Sequence, residues 1–173
     1  MKTKYTKPAI EAVLIKGKQM LLAGSPDGAR ATMSGYSHDD DEGSGQVMAN
    51  GDKIKIADDF TVEAVPAYNI SEGRTQFHPQ GRDNGYILTI DGLRVYIAGD
   101  TEDIPEMASI KDIDIAFLPC NQPYTMTTDQ LVKAAKIIKP KVLFPYHYGQ
   151  TDVSALPSQL QAEGIDVRIR HYE

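Results

Sequence analysis

The sequence predicts an α/β layered fold, α+β in the grouping of its elements, and three observations carry that expectation. In the second half, apolar strand-like runs alternate with segments of helical period, which calls for helices packed on a sheet. Asp91-Gly92 separates the apolar residues Ile87, Leu88 and Ile90 from Val95, Ile97 and Ala98, and Asp-Gly is the turn pair of a tight hairpin. Two capping-box patterns, Asp103-x-x-Glu106 and Thr127-x-x-Gln130, mark helix starts. The 173 residues are the length of one domain, expected to span 1–173. A chain of this length buries roughly 70% of the surface it exposes when unfolded.

Taken in order, residues 8–16 read as a short helix and residues 19–23 as a strand. Residues 34–46, SGYSHDDDEGSGQ, read as a solvated loop, because consecutive like charges repel. His38 and the aspartates after it lack the alternating acids and late Glu of a calcium loop. Asn50-Gly51 is a turn signal, with strands expected over 53–57 and 60–66. Residues 67–83 have no clean period and read as a loop, and ordered loops of that length are more often functional. Beyond the hairpin, a helix is expected over 104–110, with Pro105 in its first turn. Residues 112–119, DIDIAFLP, read as a buried strand. The helix opened by Thr127 puts Leu131, Ala134, Ala135 and Ile138 on one face and ends at Pro140. KVLFPYH, 141–147, is a strand with Pro145 near its end. A last helix over 154–163 stops at Gly164, and DVRIR, 166–170, is a final strand.

Composition sets the class. Hydrophobic content of 41% and charged content of 24% suit a soluble globular protein. A net charge of −6 argues against nucleic acid and against an anionic membrane surface. Cys120 is the single cysteine, so no intrachain disulfide forms, which fits a reducing compartment. The apolar run Ala12 to Ile15 is cut by Lys16 and is too short for a signal-peptide core. A cytoplasmic protein with a small-molecule substrate, bound to neither nucleic acid nor membrane, is expected.

Polar residues collect where strands end. Asp100 follows the strand 93–98, His147 follows the strand 141–145, Cys120 and Asn121 follow 113–118, and His78 lies in the long loop. His78, Asp100 and His147 form an N,O,N set suited to zinc or another transition metal. Each has a plainer explanation. Gly-Asp after a strand is common turn chemistry, loop histidines are more often surface residues, and a carbonyl could satisfy His147. Cys120 reads as a small buried hydrophobe. Strand direction is not legible, so the local pattern leaves open whether these ends converge. No G-x-S-x-G, H-E-x-x-H or Walker motif is present. Arg74 and Arg82 could meet an anionic group, although exposed arginines usually have no such role.

The stretches VEAVPAYN, FHPQGRDNGYILTIDGLRVYIAGDTEDIPEM, DIDIAFLPCNQPYTMT and KVLFPYHYG resemble the metallo-β-lactamase superfamily. Within it they are similar to the metal-dependent hydrolases related to the bacterial ascorbate-phosphate lactonase. The resemblance implies an αββα sandwich with a metal site between two sheets. It implies Asp100 as a ligand bridging two metals, His147 as a ligand of the second and His78 as the remaining ligand. Asp100 and His147 become the catalytic pair, with Tyr68, Asn69, Asn121 and Tyr148 lining a substrate site. One or two ions, zinc, manganese or iron, would lower the pKa of bound water to about 7 for attack on an ester, lactone or phosphoester.

One motif departs from the family. The superfamily's H-x-H-x-D-H does not occur in this sequence, and residues 6–24 resemble the helix and strand that follow it. The expectation is a partial sandwich without its leading strands, a truncated form in which ions bind weakly or not at all. An uncovered sheet edge would be met by self-association, by a partner covering the missing strands, or by the rest of a longer protein. Two other functions remain open: an inactive member acting as a binding or regulatory module, and a mononuclear metal-binding protein without turnover.

Overall fold

The computed structural model describes residues 49–171. The expected helix at 8–16, strand at 19–23 and loop at 34–46, with His38, lie outside the described residues. The rest builds one sheet of seven strands in sequence order. β1 (Lys53–Ala57), β2 (Phe60–Ala67), β3 (Asp83–Ile90) and β4 (Leu93–Ile97) form an antiparallel meander. β5 (Ile115–Pro119), β6 (Val142–Tyr146) and the two-residue β7 (Asp166–Val167) continue it in parallel from β4. The mixed sheet is the expected α/β layered arrangement, with helices as the crossovers of its parallel half.

Local chemistry explains most elements. The hairpin turn has φ of 49° at Asp91 and 78° at Gly92, the left-handed pair that Asp-Gly supplies. α1 (Thr128–Ile138) starts with a full capping box. The Thr127 side chain accepts from Gln130 N–H, and Gln130 Oε1 accepts from Thr127 N–H at 2.9 Å. Its four expected apolar residues, Leu131, Ala134, Ala135 and Ile138, are all buried.

Three expectations are corrected. Residues 105–109 form a 3-10 helix whose N-cap, Ile104, makes no side-chain cap bond. The Asp103/Glu106 box fails because both carboxylates have distant partners. Lys133 donates to Asp103 at 2.6 Å, and Tyr68 donates to Glu106 at 2.9 Å. α2 covers only Leu156–Leu160 before a 3-10 turn that ends at Gly164, φ 72°. The final strand is two residues long, because only Asp166 and Val167 pair with β6.

The main core lies between the sheet and the helical layer. Tyr96, Ala116, Leu118 and Leu143 from the sheet meet Leu131, Ala134, Leu156 and Leu160 from α1 and α2. The register puts the alternate residues on the opposite face: Val62, Leu88 and Val95 in one row, Ala64, Tyr86 and Ile97 in the next. Phe117 and Phe144 extend that second row and stack at 5.2 Å. Both faces of the sheet are therefore apolar, the pattern of a sheet inside a sandwich. Among the described residues no helix is long and apolar enough to cross a membrane.

Candidate metal centre

Strand direction decides which loops meet. β2, β4, β5 and β6 all run the same way, because β2 and β4 flank the antiparallel β3 and β5 and β6 are parallel to β4. Their C-terminal ends share one edge of the sheet, where open α/β sheets build sites. The loop carrying His78 leaves β2, Asp100 follows β4, Asn121 follows β5 and His147 follows β6.

Asp100 is placed by a constrained turn. Gly99 has φ of 70°, and a Cβ there would lie 2.7 Å from the Asn84 carbonyl oxygen. Only glycine fits without a backbone shift. Immediately after it, Thr101 and Glu102 lock the segment to the β2 end. Thr101 Oγ1 donates to the Tyr68 carbonyl at 2.9 Å and accepts from Tyr68 N–H at 3.1 Å. Glu102 N–H donates to the same carbonyl at 3.0 Å. The fully buried Glu102 carboxylate accepts from Ile70 and Ser71 N–H at 2.8 and 2.6 Å and forms an ion pair with Arg74.

Two histidines take the two oxygens of Asp100. His147 Nδ1 is 2.7 Å from Oδ1, and His78 Nε2 is 3.8 Å from Oδ2. His147 sits at φ 47°, a conformation that histidine tolerates better than most side chains, and its ring is 43% exposed. His78 is buried, and its Nδ1 contacts Asp83 Oδ2 at 3.0 Å. Burial pushes the Asp83 carboxyl up, but hydrogen bonds from His78 and Arg82 and the guanidinium charge hold it below the ordinary carboxylate value.

The donor set fits part of a metal centre. Two ligands at about 2.0–2.1 Å around a tetrahedral zinc stand roughly 3.3–3.4 Å apart. The 3.8 Å between His78 Nε2 and Asp100 Oδ2 is within a few tenths of that and too long for a hydrogen bond. His147 is instead hydrogen-bonded to Asp100, at a spacing that leaves no room for an ion between them. Accordingly, no three His, Cys, Asp or Glu side chains among the described residues form a ready cage.

The other expected site residues are spread around this edge. Asn69 is buried and donates to the Arg74 and Tyr124 carbonyls at 3.1 and 2.7 Å, while its Oδ1 has no partner. Tyr68 packs in the core, its hydroxyl committed to Glu106. Asn121 lies against Gly149, beside the His147 turn. Tyr148 turns toward the C-terminal segment and donates to the Arg170 carbonyl at 2.6 Å. Arg74 and Arg82 are both committed. Arg74 ties the long loop to Gln122, Thr125 and Gln130, and Arg82 clamps Asp83. Tyr68, Asn69, Ile70, Thr75, Gln76 and Gln80 line a cleft of about 510 Å³.

Residues that local reading passed over include Asp83, Glu102 and Tyr146. The Tyr146 hydroxyl is bonded to the Gly99 backbone, and its pKa is raised by burial first and by the Asp100 charge second. The only local signal for any of them is the close spacing of His78, Arg82 and Asp83 where the long loop meets β3.

A mixed sheet backed by helices, with nitrogen and oxygen donors at one edge, defines the class: the α/β sandwich of metallo-β-lactamase type. The chain belongs to the β-lactamase superfamily, whose "Beta-lactamase superfamily domain" model matches residues 29–147. It is similar to a metal-dependent hydrolase of Archaeoglobus fulgidus, 32% identical over 121 residues, covering 64% of this chain and 52% of that one. A crystal structure described as a metal-dependent hydrolase from Parabacteroides distasonis is 61% identical with a TM-score of 0.72, covering 75% of this chain and 59% of that one. Igni18, described as a metallo hydrolase from Ignicoccus hospitalis, is 28% identical with a TM-score of 0.62, covering 73% of this chain and 57% of that one. The chain spans about half the length of the curated relatives it matches.

Proposed function

We propose that the protein is a metal-dependent hydrolase that cleaves an ester, lactone or phosphoester with metal-activated water. The observation that carries this reading is the pairing of both Asp100 oxygens with histidines at one sheet edge. His78 Nε2 and Asp100 Oδ2 would hold an ion, and His147 would join them once released from Asp100. Zinc, manganese or iron bound there supplies a hydroxide near neutral pH and polarises the substrate's carbonyl or phosphoryl oxygen. Asp100 would supply the oxygen ligand of the site, set between His78 and His147. Further ligands come from outside the described residues, as does the cover for the second apolar face, supplied by a longer chain, a second copy or another protein.

Among the three substrate classes, an uncharged ester or lactone fits best. Hydroxyl and amide groups dominate the polar lining of the cleft formed by Tyr68, Asn69, Thr75, Gln76 and Gln80, and Arg74 and Arg82 are paired with buried carboxylates. A second reading, a non-catalytic binding module, draws on the His147–Asp100 hydrogen bond, which closes the carboxylate without any ion. Hydrolysis of a lactone, a p-nitrophenyl ester and bis-p-nitrophenyl phosphate, with and without added zinc, manganese or iron, decides between them. Metal-dependent turnover lost in Asp100→Ala supports the hydrolase, and no turnover with any metal supports the module.

A further inference from the structure

His78 is held by an arrangement that nothing in the hydrolase reading requires in advance. Its Nδ1 lies 3.0 Å from Asp83 Oδ2, and both side chains are more than nine-tenths buried. Asp83 opens β3 and pairs in register with Ala67 of β2, so the carboxylate stands on the sheet rather than on the loop. Arg82 grips the same carboxylate twice, Nε to Oδ1 at 2.9 Å and Nη2 to Oδ2 at 2.8 Å. Its Nη2 also donates to the Phe77 carbonyl at 2.6 Å, tying the loop on the other side of His78. The His78 carbonyl accepts from Asn69 N–H at 2.8 Å, which fixes the backbone beneath the ring.

Which nitrogen of His78 carries the proton follows from these contacts. A bare Nδ1 would set its lone pair against a buried carboxylate oxygen at 3.0 Å, which is repulsive. Arg82 Nη2 could donate to a bare Nδ1, but at 3.4 Å that contact is longer and the same nitrogen already serves Asp83 and Phe77. The proton therefore sits on Nδ1 and is donated to Asp83. In the neutral imidazole, Nε2 is then the bare nitrogen, and it is the one that faces Asp100.

From this geometry we infer that the Arg82–Asp83 pair is the positioning device of His78: it fixes the Nδ1–H tautomer and aims the Nε2 lone pair at a cation shared with Asp100. The inference builds on the proposal that His78 is a metal ligand, but its tautomer is testable without metal. The carboxylate makes the imidazole a stronger donor, and Arg82 keeps the carboxylate ionised and in plane. Asp83 and Arg82 touch neither substrate nor ion and act through His78.

Nitrogen-15 NMR of the metal-free protein tests it, with the imidazole resonances of His78 assigned through His78→Gln. Recorded where the imidazole is neutral, the wild-type spectrum should show a protonated Nδ1 and a bare Nε2. Asp83→Ala should move the proton to Nε2, and Asp83→Asn, which keeps an acceptor oxygen, should restore it to Nδ1. Zinc titration gives the second readout, with affinity about 10- to 100-fold weaker in Asp83→Ala than in wild type. A wild-type His78 protonated on Nε2, or an Asp83→Ala protein with an unchanged tautomer, overturns the inference. The wild-type spectrum decides alone if Asp83→Ala does not fold. Absence of zinc binding by wild type would count against the hydrolase proposal, while the tautomer result would still decide this one.

Discussion

Glu102→Ala removes a carboxylate that is 0% exposed and organises the loop carrying His78. In the folded protein that carboxylate accepts from Ile70 and Ser71 N–H at 2.8 and 2.6 Å and pairs with Arg74. An orphaned buried donor costs about 1–3 kcal/mol, and breaking a buried ion pair from one side costs about 3–5 kcal/mol. These contributions overlap, since water entering the gap would resolvate some of the exposed groups. A loss of about 4 kcal/mol is expected, or roughly 8–16 °C in melting temperature for a domain of this size. Glu102→Gln keeps an acceptor oxygen and loses only charge, so about 1–2 kcal/mol is expected. Urea denaturation gives the free energies, and amide exchange at Ile70 and Ser71 shows where protection is lost. A Glu102→Ala protein destabilised by less than about 1 kcal/mol would refute the view that this carboxylate holds the loop.

Three further outcomes follow from the same structure. Thr127→Ala should cost about 1 kcal/mol in urea denaturation, because α1 loses the acceptor that caps its first turn. The Cys120 thiol is fully buried and pushed up to about 11 by desolvation, so it should resist alkylation at pH 8 and react once urea unfolds the chain. Asp83 is held below its ordinary value of 3.8, so its contribution to stability is complete above that pH and fades as pH falls below it. The melting-temperature gap between wild type and Asp83→Asn should therefore close below pH 3.8, and a constant gap would contradict that assignment.

How far the sequence could be read depends on the distance between partners. Strands from 53 to 119, the Asp91-Gly92 hairpin and the Thr127 capping box rest on neighbouring residues, and local pattern found them. The Asp103/Glu106 box met the same local rule and failed, because Lys133 and Tyr68, distant in sequence, bind those carboxylates better than the helix end does. α2 and β7 are shorter than their patterns because packing, not period, ends them. At the site, Asp100, His78 and His147 stood out by position and resemblance. Their meeting at one edge depended on strand direction, which the pattern does not carry. Glu102 and Arg74 were unreadable as a pair, since 28 residues and two strands separate them. Asp83 was nearer to hand, five residues from His78 at the start of the next strand.

If Asp100 helps hold a metal ion, its removal should weaken binding of that ion. Isothermal titration of the purified, metal-stripped chain with zinc, in wild type and Asp100→Ala, tests it most directly. Wild type should bind zinc, and Asp100→Ala should weaken that binding by more than the roughly 10- to 100-fold that follows from losing a residue that only orients a ligand. Equal affinity in the two proteins, or no zinc binding by wild type, would contradict it.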